Sequence, residues 1–194
     1  DVLGSRGLGD VYKRQGYQLF LQQIENAENP SSYDDLINSK LFQGVIFCHN
    51  IPSGETFDSL RIKYPIVMCS QYNKDEDIPY VVVDDYNSAK NAVNYLLSVG
   101  KKRIAFINSS KNYSYSPLRE KGFRDALKAS GNPVNDNWII HLTDIDFNVA
   151  FSVATTLLSS CNKPDAIFCA SDVYACAALK AAHTLHLSLS LIHI

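Results

Sequence analysis

The sequence predicts an α/β protein built from mostly parallel sheets with flanking helices, arranged as two lobes. Short apolar runs alternate with stretches of helical periodicity, which is the pattern of β-α-β units. The pattern then restarts after Gly100, where Lys101, Lys102 and Arg103 form a polar junction before a new apolar run. Several runs are apolar at successive positions, as expected of strands covered on both faces. The predicted strands are 18–21, 44–48, 65–69, 80–83, 103–107, 138–141 and 166–169.

Between them, Tyr33, Leu36, Ile37 and Leu41 fall at helical spacing, as do Ala89, Ala92, Val93, Leu96 and Leu97. The second set predicts a helix ending at Gly100, a residue suited to a left-handed cap. Ser116 followed by Pro117 marks a helix start, with Leu118, Gly122, Phe123, Ala126 and Leu127 as the buried stripe and Gly131 as the stop. Further helices are expected over 149–158 and from Val173 to about Leu185. The lobe boundary falls between residues 100 and 101, giving lobes of 16–100 and 101–188.

The two ends are assigned to a different origin. Residues 10–15, Asp-Val-Tyr-Lys-Arg-Gln, back-translate to GATGTGTATAAGAGACAG, whose reverse complement CTGTCTCTTATACACATC encodes residues 189–194, Leu-Ser-Leu-Ile-His-Ile. One DNA word read in both directions resembles the end of a transposase-type sequencing-library adapter. Residues 1–15 and 189–194 are therefore expected to be translated adapter, which genomic DNA running on differently past residues 16 and 188 would verify. Arg6, Lys13 and Arg14 go with that segment against Asp1 and Asp10, so the remainder stays slightly acidic.

Composition narrows the function. With 46% hydrophobic and 20% charged residues and a net charge of −2, the chain reads as an ordinary globular protein. No apolar run is long enough for a membrane span. Nor is there the clustered Lys and Arg that phosphate-backbone binding requires. The five cysteines, Cys48, Cys69, Cys161, Cys169 and Cys176, are odd in number, lack a C-x-x-C spacing and lie mostly in apolar runs. They read as reduced core residues of a cytoplasmic protein.

Ligands of open parallel sheets sit beyond the carboxyl ends of the strands. The residues found there are His49 and Asn50, Ser70 and Gln71, Asp84 and Asp85, Ser109 and Ser110, Thr143 and Asp144, and Ser171 and Asp172. Arg119 opens a helix nearby, and Tyr72, Tyr113, Tyr115 and Phe147 lie in the same loops. Carboxylates, amides, an arginine fork and ring faces suit a polyhydroxylated ligand or nucleoside, because adjacent hydroxyls pair bidentately and apolar faces stack. The alternative for each polar residue is a helix cap, most of all for Asp172.

Catalytic signatures are lacking: there is no G-x-S-x-G, H-E-x-x-H or phosphate-binding glycine loop in 16–188. His49 and His141 sit at strand ends without an identifiable nucleophile, and His183 with His186 lacks a third metal ligand. Asp84 and Asp85, as adjacent strand-end residues, should point oppositely and so form no acid-base dyad. No enzyme activity, metal or cofactor is expected.

In order along the chain, these residues resemble the effector-binding core of the LacI/GalR family of bacterial transcription regulators. The resemblance rests on Pro79-Tyr-Val-Val-Val-Asp-Asp-Tyr-Asn-Ser-Ala, Gly100-Lys-Lys-Arg-Ile-Ala-Phe-Ile, Arg119-Glu-Lys-Gly-Phe-Arg-Asp-Ala-Leu and Pro164-Asp-Ala-Ile-Phe-Cys-Ala-Ser-Asp. It implies a two-lobed periplasmic-binding-protein-like fold whose first strand-helix unit and DNA-binding domain lie outside this chain. It also implies a repressor-type homodimer that binds operator DNA through an amino-terminal helix-turn-helix, with an effector held between the lobes. Arg119 matches the family's effector-clamping arginine, Asp84 and Asp85 its Asp-Asn pair, and Ser171 and Asp172 its Asn-Asp. Phe147 is the candidate for ring stacking. With Asn50, Gln71 and Tyr115, these form the predicted effector site. The competing reading is a periplasmic sugar-binding protein of a transporter.

Overall fold

A computed structural model describes residues 16–24, 29–38, 42–49, 54–72 and 77–188. Among them are two three-stranded sheets. The first runs in the order β1-β2-β3 with β1 Val45–Phe47, β2 Ile66–Cys69 and β3 Tyr80–Val81. β2 and β3 are parallel, with Met68 opposite Tyr80 and Cys69 opposite Val81. The second runs β5-β4-β6 with β4 Ile104–Ser109, β5 Ile139–Leu142 and β6 Ala166–Cys169. All its pairings are parallel, with Ser109 opposite Leu142 and Ile107 opposite Cys169.

The helices are α1 Asp34–Asn38, preceded by the 3-10 turn Pro30–Tyr33, then α2 Glu55–Lys63, α3 Asp85–Ser98, α4 Tyr115–Ala129, α5 Phe147–Ser159 and α6 Asp172–Thr184. None of the described helices is long and apolar enough to cross a membrane.

β4 shows why an unbroken apolar run makes a central strand. Alternate residues point to opposite faces, and each face has its own core. Ala105 and Ile107 join Ala150, Ala154 and Leu157 of α5 and Tyr174, Ala177 and Ala181 of α6. Ile104 and Phe106 join Val93 of α3 and Phe123, Ala126 and Leu127 of α4. The Phe106 ring stacks on Phe123 at 5.1 Å and on Phe168 at 4.7 Å between centroids. Asp165, at the opposite end of the sheet from the ligand loops, fixes the entry of β4 by accepting from the Lys102 and Arg103 amides.

Two glycines behave as the sequence requires. Gly100 (φ 87°) and Gly131 (φ 73°) close α3 and α4 in the left-handed region. Gly122 has a different role: a Cβ there would lie 2.3 Å from the Tyr86 carbonyl oxygen, so its absence lets α4 cross tightly over α3.

The chain divides into two compact units, Asp1–Val45 with Asn50–Ile66, and Ile46–His49 with Val67–Ile194. In the first, Tyr33, Leu36, Phe57 and Leu60 are buried, the Tyr64 hydroxyl donates to the Leu36 carbonyl, and Lys63 donates to the Ile37 carbonyl. α3 packs against α4 within the second unit.

Other expectations are corrected. Residues 18–21 form no strand, and Leu21 is 98% exposed. β3 is two residues long rather than four, and Trp138 belongs to the 3-10 turn Asp136–Trp138 ahead of β5. α2 was not foreseen. The helix expected to start at Ser116 starts at Tyr115, leaving Ser116 buried inside it. Leu41 lies outside the described residues, as do 1–15 and 189–194. Cys48, Cys161 and Cys176 are exposed rather than core, whereas burial pushes the Cys169 thiol up to about 12.

Candidate functional site

The carboxyl ends of β4, β5 and β6 and the amino ends of α3 to α6 supply the candidate site. Arg119, in the second turn of α4, is its most constrained member. Its Nε donates to Asp85 Oδ1 at 2.8 Å, Nη2 forms an ion pair with the same oxygen at 2.7 Å, and Nη1 donates to the Ala170 carbonyl just beyond β6 at 2.6 Å. The guanidinium lies 4.5 Å from the centroid of the Tyr115 ring, one turn earlier on the same helix. Nε and one Nη1 N–H thus donate to protein, and N–H groups on Nη1 and Nη2 remain for another acceptor. Asp85 is 5% exposed, and Arg119 supplies the charge that a buried carboxylate needs.

The Asp84 and Asp85 pair divides its labour, though not as two strand-end residues. Asp84 is the N-cap of α3: its Oδ1 accepts from the Asn87 amide at 3.0 Å and its Oδ2 from the Asn87 side chain at 2.7 Å, which hold its carboxyl below the usual range. Asp85 begins the helix and turns inward to Arg119. Ser171 is the N-cap of α6. The Val173 amide is shared between Ser171 Oγ at 3.2 Å and Asp172 Oδ1 at 2.9 Å, so both residues cap the helix at the edge where Arg119 meets Ala170.

Gln71, 7% exposed beyond β2, directs its Oε1 to Ser114, accepting from the hydroxyl at 2.9 Å and the amide at 3.3 Å. It thereby anchors the residue before Tyr115. Ser70, beside it, holds a left-handed backbone at φ 68°, an unusual conformation for a residue with a side chain. Phe147 opens α5 just past the end of β5, is 40% exposed, and stacks on Phe151. Contacts therefore bring together Asp85, Tyr115 and Arg119, with Gln71 joined through Ser114. Phe147 lies past the end of β5 and stacks on Phe151, and Asn50 lies outside the described residues.

The sequence reading missed a buried polar network beneath these groups. Asn108 Nδ2 donates to the Ser116 carbonyl, the Ser109 amide to Asn108 Oδ1, and Ser116 Oγ to the Ser109 carbonyl. The Tyr115 hydroxyl donates to Ser109 Oγ, and Tyr174 enters from α6. The available signal was Tyr174, a phenol within an otherwise alanine-rich helical stripe. Burial raises the ionisation of both Tyr115 and Tyr174 above the usual phenol value. The histidines are also occupied. His141 Nε2 lies 2.9 Å from Glu120 in a chain that continues to Arg124 and Asp136, and burial lowers the His49 value.

Comparison with known proteins agrees with this architecture. Residues 6–188 match the family described as periplasmic binding proteins and sugar binding domain of LacI family. The regulator DegA of Bacillus subtilis is 31% identical over 172 residues, 86% of this chain and 50% of DegA. The repressor CytR of Escherichia coli is 28% identical over 179 residues, 91% of this chain and 52% of CytR. A crystal structure of an uncharacterized protein from Actinobacillus succinogenes superposes with a TM-score of 0.75 at 28% identity, covering 95% of this chain and 68% of that one. CcpA of Lactococcus lactis shares the fold at a TM-score of 0.79 and 20% identity, covering 95% and 68%. The chain belongs to the LacI family, with the periplasmic-binding-protein-like fold, and its relatives are transcription regulators. It spans about half the length of the curated relatives it matches.

Proposed function

We propose that this chain is the effector-binding core of a bacterial ligand-responsive transcription regulator. Its effector is a small polyhydroxylated molecule, a sugar or nucleoside, held at the carboxyl ends of the strands. The observation that carries this reading is Arg119, held by Asp85, the Ala170 carbonyl and the Tyr115 ring with N–H groups left over on Nη1 and Nη2. A fork fixed in this way recognises adjacent hydroxyls at little further ordering cost. Phe147 supplies an exposed ring for stacking, and Ser171 and Asp172 add hydroxyl and carboxylate partners.

In the whole protein, a cytoplasmic homodimer, effector binding favours one arrangement of the lobes and so changes operator affinity through a helix-turn-helix outside this chain. Catalysis has no part in this role. Thermal unfolding of the 194-residue chain against D-ribose, D-glucose, adenosine and cytidine tests the site, and a rise in midpoint with at least one of them is expected. Equal operator binding by the full-length protein with and without every compound would overturn the regulatory reading.

A further inference from the structure

We propose that the Ser109 hydroxyl is a positioning group that joins two effector-binding loops into one unit. The proposal rests on the functional reading above and deepens it. The Tyr115 hydroxyl donates to Ser109 Oγ at 2.9 Å, Ser109 Oγ donates to the Tyr174 oxygen at 3.4 Å, and the Tyr174 hydroxyl donates to the Asp144 carbonyl at 3.1 Å. This connects the platform beneath Arg119, which follows β4, to the main chain of the loop that follows β5. Ser109 and Tyr174 are fully buried. In such a setting every hydroxyl must find a partner, so breaking one link leaves the next group unsatisfied. Hydrogen bonds among Asn108, Ser109 and Ser116 hold the backbone that carries the central hydroxyl.

The terminal carbonyl also fixes the direction of the chain. Asp144 O can only accept, so Tyr174 donates to it and accepts from Ser109, and Ser109 in turn accepts from Tyr115. The Tyr115 proton is therefore directed inward, to Ser109.

The test uses the 194-residue chain and its Tyr115→Phe and Tyr174→Phe variants, singly and together, in the wild-type and Ser109→Ala backgrounds. Each substitution removes one hydroxyl while keeping most of the packing. Thermal unfolding with D-ribose, D-glucose, adenosine, cytidine and D-ribose 5-phosphate identifies the responding compound, and calorimetric titration gives its Kd. Ser109→Ala is expected to weaken binding about tenfold. The two tyrosine substitutions should be non-additive by about threefold or more with Ser109 present, and additive in Ser109→Ala. A purely structural serine would lower the unfolding midpoint without changing that additivity. If the wild-type midpoint responds to no compound, the reading of the site fails and the relay loses its role. If it responds but the effects are additive in both backgrounds, the relay alone is overturned.

Discussion

In the second sheet every residue of β4 is buried and both faces carry helices, whereas in the first sheet β3 is two residues long and exposes Tyr80 and Val81, the latter by 67%. The ligand-side groups follow the same division. Asp85, Tyr115, Arg119 and Ser109 are locked to one another around the second sheet, and the first contributes to this network through Gln71. Recognition needs groups held in place before the ligand arrives, and a fully enclosed strand provides the rigid base for them. The contrast makes substitutions around β4 costly and those on β3 nearly silent.

The largest effect is expected at Phe106, which packs against both Phe123 and Phe168. Phe106→Ala should destabilise by about 4 kcal/mol, while Val81→Ala should stay within about 0.5 kcal/mol. Urea unfolding of both variants checks this, and equal losses would mean that the two sheets are equally enclosed. Arg119→Met comes next. It removes the partner of buried Asp85, for a loss of about 3 kcal/mol, and it should also abolish the midpoint rise with any responding sugar or nucleoside. Arg119→Met with Asp85→Leu should recover part of the stability without recovering binding, which separates the two roles. Gly122→Ala should cost about 2 kcal/mol, because its new methyl meets the Tyr86 backbone oxygen rather than a movable side chain.

Much of the second sheet was legible because its signals are local. The run Arg103-Ile-Ala-Phe-Ile is apolar on both faces, and Gly100 and Gly131 stop helices through their own backbone freedom. The first half was less legible. Residues 18–21 have a strand-like composition but, among the described residues, belong to no sheet, and a strand exists only by pairing. α2 escaped notice because it buries chiefly Phe57 and Leu60 among polar residues, too thin a stripe for periodicity to reveal. At the site, residue types were readable but commitments were not. Asp84 and Asp85 are neighbours of one type, yet one caps α3 and the other pairs with Arg119, a difference set by a helix that starts two residues after the strand was expected to end. Tyr174 and Ser109, 65 residues apart, become partners only when α6 packs on β4.

The smallest expected effect concerns pH and sharpens the same comparison. Glu120 follows Arg119 on α4 and is half-enclosed. Burial alone would raise its carboxyl, but hydrogen bonds and charge from Arg124 and His141 outweigh this and hold it below the ordinary 4.5. A carboxyl with a lowered folded-state value contributes stability that is fully present above the unfolded value and is lost as pH falls through the folded one. Stability should therefore decline as pH drops below about 4.5, with Glu120→Gln showing a shallower decline. His141, Arg124 and Asp136 face this group, so His141→Gln should reduce the Glu120 contribution while leaving its sign unchanged. Because the cluster lies on α4 and β5, its titration should shift hydrogen exchange in the second sheet before the first. Simultaneous loss of protection in both sheets would show that they unfold as one cooperative unit, despite their unequal enclosure.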